Sequence, residues 1–282
     1  MPTVAELVTT GAERLAAGGV PEPRADAEVL VARALGRDRT WLYAHPDDGV
    51  PADAAGQAAV WLERRQHREP LWYIVGEVEF YGLACRVDPH VLIPRPETEL
   101  LVEAGLAFLR HRPAAVVADI CTGSGCVAIA LARHAPEARL LAVDLDPAAL
   151  AVARRNADRH GLGERIAFLQ GDLWAPLPGP VDLAVCNPPY VAERDWPALM
   201  PEVREHEPRR ALAAGEDGLA VIRRLLAAAP GRLAAGGALY VEIGANQGAA
   251  VRELAKAAFP QAKVAVRPDL AGLDRLLVVE RE

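Results

Sequence analysis

The sequence predicts an α/β protein in which a small helical domain and a β-hairpin linker precede a doubly wound, mainly parallel sheet of seven strands. Three observations predict this architecture. Residues 1–70 carry apolar side chains at helical spacing, residues 71–95 change to strand-like spacing, and residues 96–282 alternate between strand and helix patterns. Repeated strand–helix units are typical of a parallel sheet that is covered by helices on both faces.

The helical domain is predicted from three periodic segments. Residues 4–17 end at a pair of glycines, residues 25–35 are followed by Gly36, and residues 51–68 begin with a proline. Glycine just past a helix and proline at its first position are common helix boundaries. We expect a module with a modest core of its own, too small to carry nucleotide chemistry alone.

The linker is predicted to be a β-hairpin. Strand-like segments around Phe80 and Cys85 flank Tyr81 and Gly82, a pair that suits a turn. A proline-rich stretch then ends the second strand. Acidic residues follow it and open a helix predicted to run from residue 97 to about residue 111.

The last domain is predicted to contain seven strands with helices between them. The strands are expected at 116–120, 140–143, 166–169, 181–186, 238–243, 264–266 and 276–280, and the helices include 147–160, 219–233 and 249–258. Only a short link joins the last two strands, which leaves no room for a crossover helix. These two strands should pair antiparallel, so that the sheet contains one reversed strand.

Composition excludes several functional classes. A net charge of −7 argues against a protein that wraps duplex nucleic acid, since neutralisation of phosphates supplies that affinity. No apolar run is long enough to span a membrane, and the N-terminus lacks the pattern of a signal peptide. Four cysteines without C-x-x-C spacing fit a reduced cytoplasmic setting, and the scattered histidines predict no metal site.

A candidate cofactor site begins where the first strand of the last domain ends. Glycines there let the backbone approach a ligand, and the N–H groups of the following helix point toward it. Asp144, at the end of the second strand, is placed to accept hydrogen bonds from ribose hydroxyls. Asp172 and Leu173 follow the third strand, and Asp172 is placed to bind an adenine amine or to serve as a helix cap. The loop itself consists of Asp119, Ile120, Cys121, Thr122, Gly123, Ser124 and Gly125.

Two adenosine-containing ligands compete for this loop. Residues 123–128 match the G-x-G-x-x-A form of the nicotinamide dinucleotide fingerprint, which is a weak signal when taken alone. A carboxylate beside a pyrophosphate is repulsive, whereas one beside an ammonium group is attractive. Asp119 therefore favours S-adenosylmethionine, whose methionine end carries an ammonium group.

The motif Asn187-Pro188-Pro189-Tyr190 follows the predicted strand at 181–186. Ligands of open α/β sheets bind just beyond the carboxyl ends of the strands. The side-chain oxygen of Asn187 and the backbone carbonyl of Pro188 can accept hydrogen bonds from a planar NH2 group, and Tyr190 can stack against that group. A structural turn is the simpler alternative. The motif predicts that a side-chain amide, or the exocyclic amine of a base, is held here.

The same motif predicts how such a nitrogen could be methylated. The lone pair of a planar nitrogen is delocalised, and hydrogen bonds accepted from its two N–H groups return electron density to the nitrogen. Positioning against an electrophilic methyl group then supplies several kcal/mol of barrier lowering. Because the methylated cation loses its proton readily, we expect no catalytic histidine.

The chain resembles the bacterial protein-glutamine methyltransferases of the HemK/PrmC type, which modify peptide chain release factors. The resemblance extends over nearly the whole length and includes the glycine loop, Asp144 and the Asn-Pro-Pro-Tyr motif. Its most specific parts are Ile-Pro-Arg-Pro-Glu-Thr-Glu at 93–99 and Glu-Val-Arg through Glu-Pro at 202–208. Further matching segments lie at 69–76, 211–219 and 242–244.

This resemblance implies a Rossmann-like, seven-stranded S-adenosylmethionine-dependent methyltransferase domain. It implies methylation of the glutamine in a Gly-Gly-Gln loop, in the cytoplasm, with S-adenosylhomocysteine as the other product. The four motif residues would grip the glutamine, with Asn187 also beside the cofactor, and Phe80 or the 93–96 segment with Arg95 would line the entrance. The helical domain would help to hold the release factor, with no direct contact to nucleic acid or membrane, and a monomer is expected.

One residue departs from the family pattern. The family usually has glycine where this chain has Cys121. A side chain there narrows the loop and places a thiol near the cofactor. Because Gly123 and Gly125 remain, we expect the change to be tolerated.

Two other functions stay open at the level of sequence. Adenine-N6 DNA and guanine-N2 RNA methyltransferases share the Asn-Pro-Pro-Tyr motif, so an amino-methyltransferase acting on a base is the main alternative. A non-catalytic binding or assembly role is a third hypothesis, suggested by the helical module and the acidic charge.

Overall fold

The computed structural model describes all 282 residues, which divide into two compact units. Unit 1 comprises Met1–Glu77 and Met200–His206, and unit 2 comprises Val78–Leu199 and Glu207–Glu282. This division differs from the predicted boundaries in two ways. Most of the expected linker at 71–95 falls in unit 2. The segment Met200–His206 is counted with the helical unit, and no pattern in the sequence indicates that assignment.

Unit 1 is built mainly from helices. The three predicted helices are present with ends within two residues of the expected positions, and the first begins with a capping box between Thr3 and Glu6. Three short helices were missed because one or two turns are too few to show a periodic apolar face. The helices are Val4–Ala17, Pro23–Ala34, Arg39–Ala44, Ala52–Gln66, Leu71–Val75 and Pro201–His206.

A buried ion-pair cluster ties the late helix into unit 1. The Arg65 guanidinium donates to Asp26 Oδ2 at 2.7 Å and to Glu202 Oε1 at 2.8 Å. Arg68 donates to the other Glu202 oxygen at 2.6 Å. Both oxygens of Glu202 are therefore paired, so the carboxylate is buried without leaving an unpaired charge.

Unit 2 begins with the predicted hairpin. Its strands are β1 (Glu77–Phe80, whose first residue lies in unit 1) and β2 (Leu83–Arg86). Tyr81 and Gly82 between them both have positive φ, at 51° and 72°. Positive φ at both central residues is characteristic of the tight two-residue turn that matches the twist of a hairpin.

The seven-stranded sheet is confirmed, including its single reversed strand. Its order is β5-β4-β3-β6-β7-β9-β8, and only β9 runs antiparallel to its neighbours. The strands are β3 (Val116–Ile120), β4 (Arg139–Asp144), β5 (Ile166–Gln170), β6 (Val181–Cys186), β7 (Leu233–Glu242), β8 (Lys263–Pro268) and β9 (Asp274–Glu280). The helices of unit 2 are Glu99–Leu109, Cys126–His134, Pro147–Arg159, Ala220–Ala228 and Gly248–Ala258.

The register of the central strands places their carboxyl ends at one edge. Ile120 of β3 pairs with Val143 of β4 and with Cys186 of β6, and Cys186 pairs with Val241 of β7. The strand order reverses between β3 and β6, which makes this edge a topological switch point. The residues that follow these positions are therefore brought together, as the sequence predicted.

The buried ion pairs of unit 1 yield a testable difference between two neighbouring arginines. Arg65→Met removes the arginine that pairs with Asp26 and leaves Glu202 with Arg68 alone, and the loss of one partner from a buried pair costs about 3–5 kcal/mol. Arg64→Met, the matched control on the same helix, removes only a half-exposed pair with Glu69 and should cost less than about 1 kcal/mol. Urea unfolding of both variants measures this difference, and equal free energies of unfolding would contradict it.

Candidate functional site

A cavity lies at the carboxyl edge of β3, β4, β5 and β6, and it brings together most of the predicted site residues. Parts of the 90–98 segment also contribute, as do Leu145, Asp146, Arg210 and Arg224. Gly125, Pro188, Tyr190, Phe80 and Arg95 do not line it. The predicted residues that do are Asp119, Cys121, Thr122, Gly123, Ser124, Asp144, Asp172, Leu173, Asn187 and Pro189.

The loop after β3 has glycine at two positions of left-handed backbone. Gly123 and Gly125 have φ of 54° and 80°, in the left-handed region that favours glycine. A Cβ on Gly125 would also lie 2.9 Å from the Cβ of Ala153. Cys121 adopts φ of 62° in the same loop, so this cysteine occupies a conformation that glycine takes more readily.

Asp119 is a buried carboxyl at the floor of the cavity. Its Oδ2 accepts hydrogen bonds from the Thr122 hydroxyl at 2.6 Å and from the Ala128 backbone at 3.1 Å. Burial raises its pKa to about 7, and the nearby Asp144 adds to the rise while the two hydrogen bonds oppose it. A cation bound beside Asp119 would favour its ionised form.

Asp144 joins the end of β4 to the glycine loop. Its Oδ2 accepts from the Gly123 backbone and its Oδ1 accepts from the Asp146 backbone, both at 2.9 Å. Asp146 in turn caps the Pro147–Arg159 helix and pairs with Arg210 at 3.0 Å. Burial raises the pKa of Asp144, and these backbone hydrogen bonds partly offset the rise.

Asp172 and Leu173 lie at the far end of the cavity, after β5. Asp172 is half-exposed and forms an ion pair with Arg224. Leu173 is buried, with φ of 49°. Both predicted residues are thus at the cavity, but a ligand amine would share Asp172 with an arginine.

Asn187 meets a residue that the sequence reasoning did not assign to the site. Its side-chain nitrogen donates to the Thr98 hydroxyl at 3.2 Å, while its side-chain oxygen has no partner within the protein. Thr98 is buried and also lines the cavity. The amide of Asn187 is therefore held by its nitrogen, which leaves the acceptor oxygen for a ligand.

Tyr190 lies behind the cavity wall. Its hydroxyl donates to Glu242 Oε1 at 3.2 Å, and burial together with that carboxyl raises its pKa. The Gln247 side chain donates to the Tyr190 carbonyl at 3.0 Å and to the Gly218 carbonyl at 3.2 Å. Gly218 has φ of 77° and packs so closely that a Cβ would lie 2.4 Å from the Tyr190 carbonyl oxygen.

The two residues predicted at the substrate entrance have different environments. Phe80 is 2 % exposed within β1 and is not among the residues that line the cavity. Arg95 is one-third exposed and forms an ion pair with the buried Glu207. Glu207 also accepts from the Ile93 backbone at 3.2 Å, which fixes the 93–95 segment.

Sequence reasoning missed four residues that hold the site: Thr98, Asn156, Glu242 and Gln247. Thr98 and Glu242 lie within segments that carry the family resemblance, a signal that could have drawn attention to them. Asn156 donates to the carbonyls of Ser124 and Arg86, and so joins the glycine loop to the hairpin. A single asparagine inside a helix gives no such signal, because a partner 32 residues away is set by tertiary packing.

Two further features bear on the class of protein. No group of three or more histidine, cysteine or acidic side chains is arranged to hold a metal ion. None of the helices has both the length and the apolar character needed to cross a bilayer.

Comparisons with known proteins match both parts of the chain. The family model of the PrmC N-terminal domain matches residues 6–76, and that of the methyltransferase small domain matches residues 97–205. Among solved structures, the catalytic domain of hMettl16 superposes with a TM-score of 0.56 at 17% identity, over 80% of this chain and 81% of that one. A ribosomal protein L11 methylase from Lactobacillus delbrueckii subsp. bulgaricus superposes with a TM-score of 0.52 at 19% identity, over 73% of this chain and 98% of that one. Likeness at this level establishes the methyltransferase fold alone.

Sequence relatives are much closer and span the whole chain. The release factor glutamine methyltransferase of Moorella thermoacetica is 44% identical over 99% of this chain and 99% of its own. The proteins of the same name from Cereibacter sphaeroides and Deinococcus radiodurans are 45% and 41% identical, over at least 96% of either chain. This chain belongs to the release factor glutamine methyltransferase family.

Proposed function

We propose that this protein transfers a methyl group from S-adenosylmethionine to the side-chain amide nitrogen of the glutamine in the Gly-Gly-Gln loop of peptide chain release factors. The observation that carries the proposal is the Asn187 amide, which is held through its nitrogen so that its oxygen remains for a ligand beside the cofactor cavity. An acceptor in this place suits an NH2 group.

The residues of the cavity fit S-adenosylmethionine. Asp119 offers a buried carboxyl to the ammonium group of the methionine end, and the positive φ at Gly123 and Gly125 brings the loop backbone close to the ligand. Asp144 has the position of a ribose acceptor, and Leu145 and Leu173 supply apolar lining. When bound, the cofactor supplies an electrophilic methyl group.

The protein contributes orientation and electron density at the acceptor nitrogen. Asn187 Oδ1 and the carbonyl of Pro188 accept from the two N–H groups of the glutamine amide, which counteracts delocalisation of its lone pair. Pro188 is buried, so its backbone position is fixed by the core beneath it. Tyr190 is held in place behind the cavity wall, because its hydroxyl and its carbonyl both form hydrogen bonds.

The same proposal includes the protein that is bound and the cellular compartment. Unit 1, which matches the PrmC N-terminal domain, would contribute to holding the release factor. We propose a cytoplasmic monomer that supports translation termination. Methylation of a base in RNA or DNA is the alternative, but the near-full-length relatives are named as release factor enzymes and the net charge is −7.

Transfer of a labelled methyl group tests the substrate directly. Purified protein with labelled S-adenosylmethionine should label a release factor and should leave a Gln→Ala variant of its Gly-Gly-Gln loop unlabelled. Asn187→Ala should lower kcat by about 100-fold, the typical loss when one well-positioned polar group is removed from a reacting centre. Leu270→Ala, at a fully exposed leucine, is the matched control with unchanged activity. Equal labelling of the Gln→Ala loop, or of ribosomal RNA alone, would overturn the assignment.

The raised pKa of Asp119 predicts a pH dependence of cofactor binding. With a pKa of about 7, Asp119 is about one-tenth ionised at pH 6 and about three-quarters ionised at pH 7.5. Only the ionised form attracts the ammonium group, so affinity for S-adenosylmethionine should fall several-fold as pH drops between these values. Isothermal titration calorimetry of the wild type and of Asp119→Asn at both pH values measures this fall in affinity.

The Asp119→Asn variant lacks this titrating carboxyl and should bind more weakly, with a smaller change between pH 6 and 7.5 than the wild type shows. Asn keeps the shape of the side chain, so the loop after β3 should retain its conformation. The same pH dependence in both proteins would show that Asp119 does not contact the cationic end of the cofactor.

A further inference from the structure

Asn156 is a fully buried polar residue that connects two segments of unit 2. It belongs to the Pro147–Arg159 helix and is 0 % exposed. Its side-chain Nδ2 donates to the carbonyl of Ser124 at 2.9 Å and to that of Arg86 at 3.0 Å. Its Oδ1 accepts from the Arg86 backbone N–H at 2.7 Å. Both amide hydrogens and the amide oxygen are thus bonded, as burial of such a group requires.

The contact with Arg86 determines which way the Asn156 amide points. Arg86 is the last residue of β2, and Asn156 bonds both its N–H and its carbonyl. A backbone N–H can only donate and a carbonyl can only accept, so the amide oxygen must face the first and the NH2 group the second. Turning the amide over would place two donors together and two acceptors together. The second hydrogen of the NH2 group is the one that the Ser124 carbonyl accepts.

Ser124 lies in the glycine loop that lines the cofactor cavity. The peptide unit between Ser124 and Gly125 is held at both ends, since its carbonyl accepts from Asn156 and its N–H donates to the Thr122 carbonyl at 2.8 Å. The glycines on either side of Ser124 make this backbone flexible when nothing else restrains it. A loop that is fixed before the ligand arrives loses less conformational entropy on binding. The bond from Asn156 therefore favours cofactor binding.

His160 offers a comparison, because it bonds the hairpin without bonding the loop. It follows the last residue of the same helix, and its Nε2 donates to the Ala84 carbonyl of β2 at 2.8 Å. A carbonyl only accepts, so this ring nitrogen carries a proton. Both side chains thus attach β2 to this part of the chain, and of the two only Asn156 also bonds the glycine loop.

We propose that Asn156 is a positioning residue that holds the glycine loop in the conformation that binds S-adenosylmethionine, with Arg86 of the hairpin as its support. Asn156 is not among the residues that line the cavity, so it acts through Ser124. Coupling between two sites is reciprocal, so cofactor binding in turn stabilises the bond between Asn156 and the Arg86 N–H. This role goes beyond the proposed function, because it concerns the cofactor and does not depend on which acceptor is methylated.

Isothermal titration calorimetry with the cofactor tests this role. Asn156→Leu keeps a branched side chain and removes the three hydrogen bonds, and affinity for S-adenosylmethionine should fall about tenfold, the loss that corresponds to one hydrogen bond. The value of kcat at saturating cofactor, on the acceptor that the wild type methylates, should stay close to wild type. His160→Phe is the matched control, because it keeps a ring, removes the bond to Ala84 and should leave cofactor affinity unchanged.

Hydrogen exchange gives a readout that a loss of packing alone does not change, and its wild-type measurement needs no variant. Saturating S-adenosylmethionine should slow exchange of the Arg86 backbone N–H in the wild type, because ordering of the loop is transmitted through Asn156. In Asn156→Leu the same N–H should exchange equally fast with and without the cofactor. Asn156→Ala removes the same bonds without adding bulk and replaces Asn156→Leu if leucine prevents folding. Circular dichroism at the assay temperature checks that each variant is folded.

Three results would overturn the role of Asn156. They are wild-type cofactor affinity in a folded Asn156 variant, an equal loss of affinity in His160→Phe, and exchange of the wild-type Arg86 N–H that does not respond to the cofactor. The proposed substrate fails in a different way, because cofactor titration and hydrogen exchange need no methyl acceptor. Labelling of a base in place of the release factor would overturn the substrate and leave these measurements unchanged.

Discussion

The hydrogen bond between the Asn187 amide nitrogen and the Thr98 hydroxyl is the interaction on which the site depends. It joins the end of β6 to the segment that precedes the Glu99–Leu109 helix, two parts of unit 2 that are 89 residues apart in sequence. Without it, the strand order alone would bring Asn187 to the cavity but would not choose its orientation. Sheet topology brings Asn187 to the cavity, and the hydrogen bond to the Thr98 hydroxyl sets the orientation of its side-chain amide.

Buried acids recur around this cavity, and each is stabilised differently. Asp119 accepts from a threonine hydroxyl and a helix backbone, Glu207 faces Arg95, and Glu242 accepts from the Tyr190 hydroxyl with Arg275 nearby. Burial raises the pKa of all three, because desolvation outweighs the groups that favour ionisation. Only Asp119 lines the cavity itself, so a bound cation can compensate its charge there. The other two acids fix neighbouring segments from outside the cavity.

Much of the fold could be predicted from sequence because it depends on local patterns. The seven strands contain short runs rich in apolar residues, and the short link before β9 forces its reversal. The glycine loop and Asn187 could be placed because parallel strands end at one edge. Contacts that depend on distant packing could not be predicted: Glu202 belongs to unit 1 through Arg65 and Arg68, and no pattern near residue 202 indicates those partners.

Cys121 shows how a departure from a family pattern can be accommodated by one loop. The left-handed conformation there costs a non-glycine residue about 1 kcal/mol, a modest loss against a core that includes the buried strands on both sides. Its side chain packs against the same core, so the apolar contact offsets part of that cost. Gly125 does not tolerate a side chain, because its φ is unfavourable for other residues and a Cβ there would collide with Ala153. The loop thus tolerates a side chain where the space beside it is open to the cavity and requires glycine where a helix packs against it.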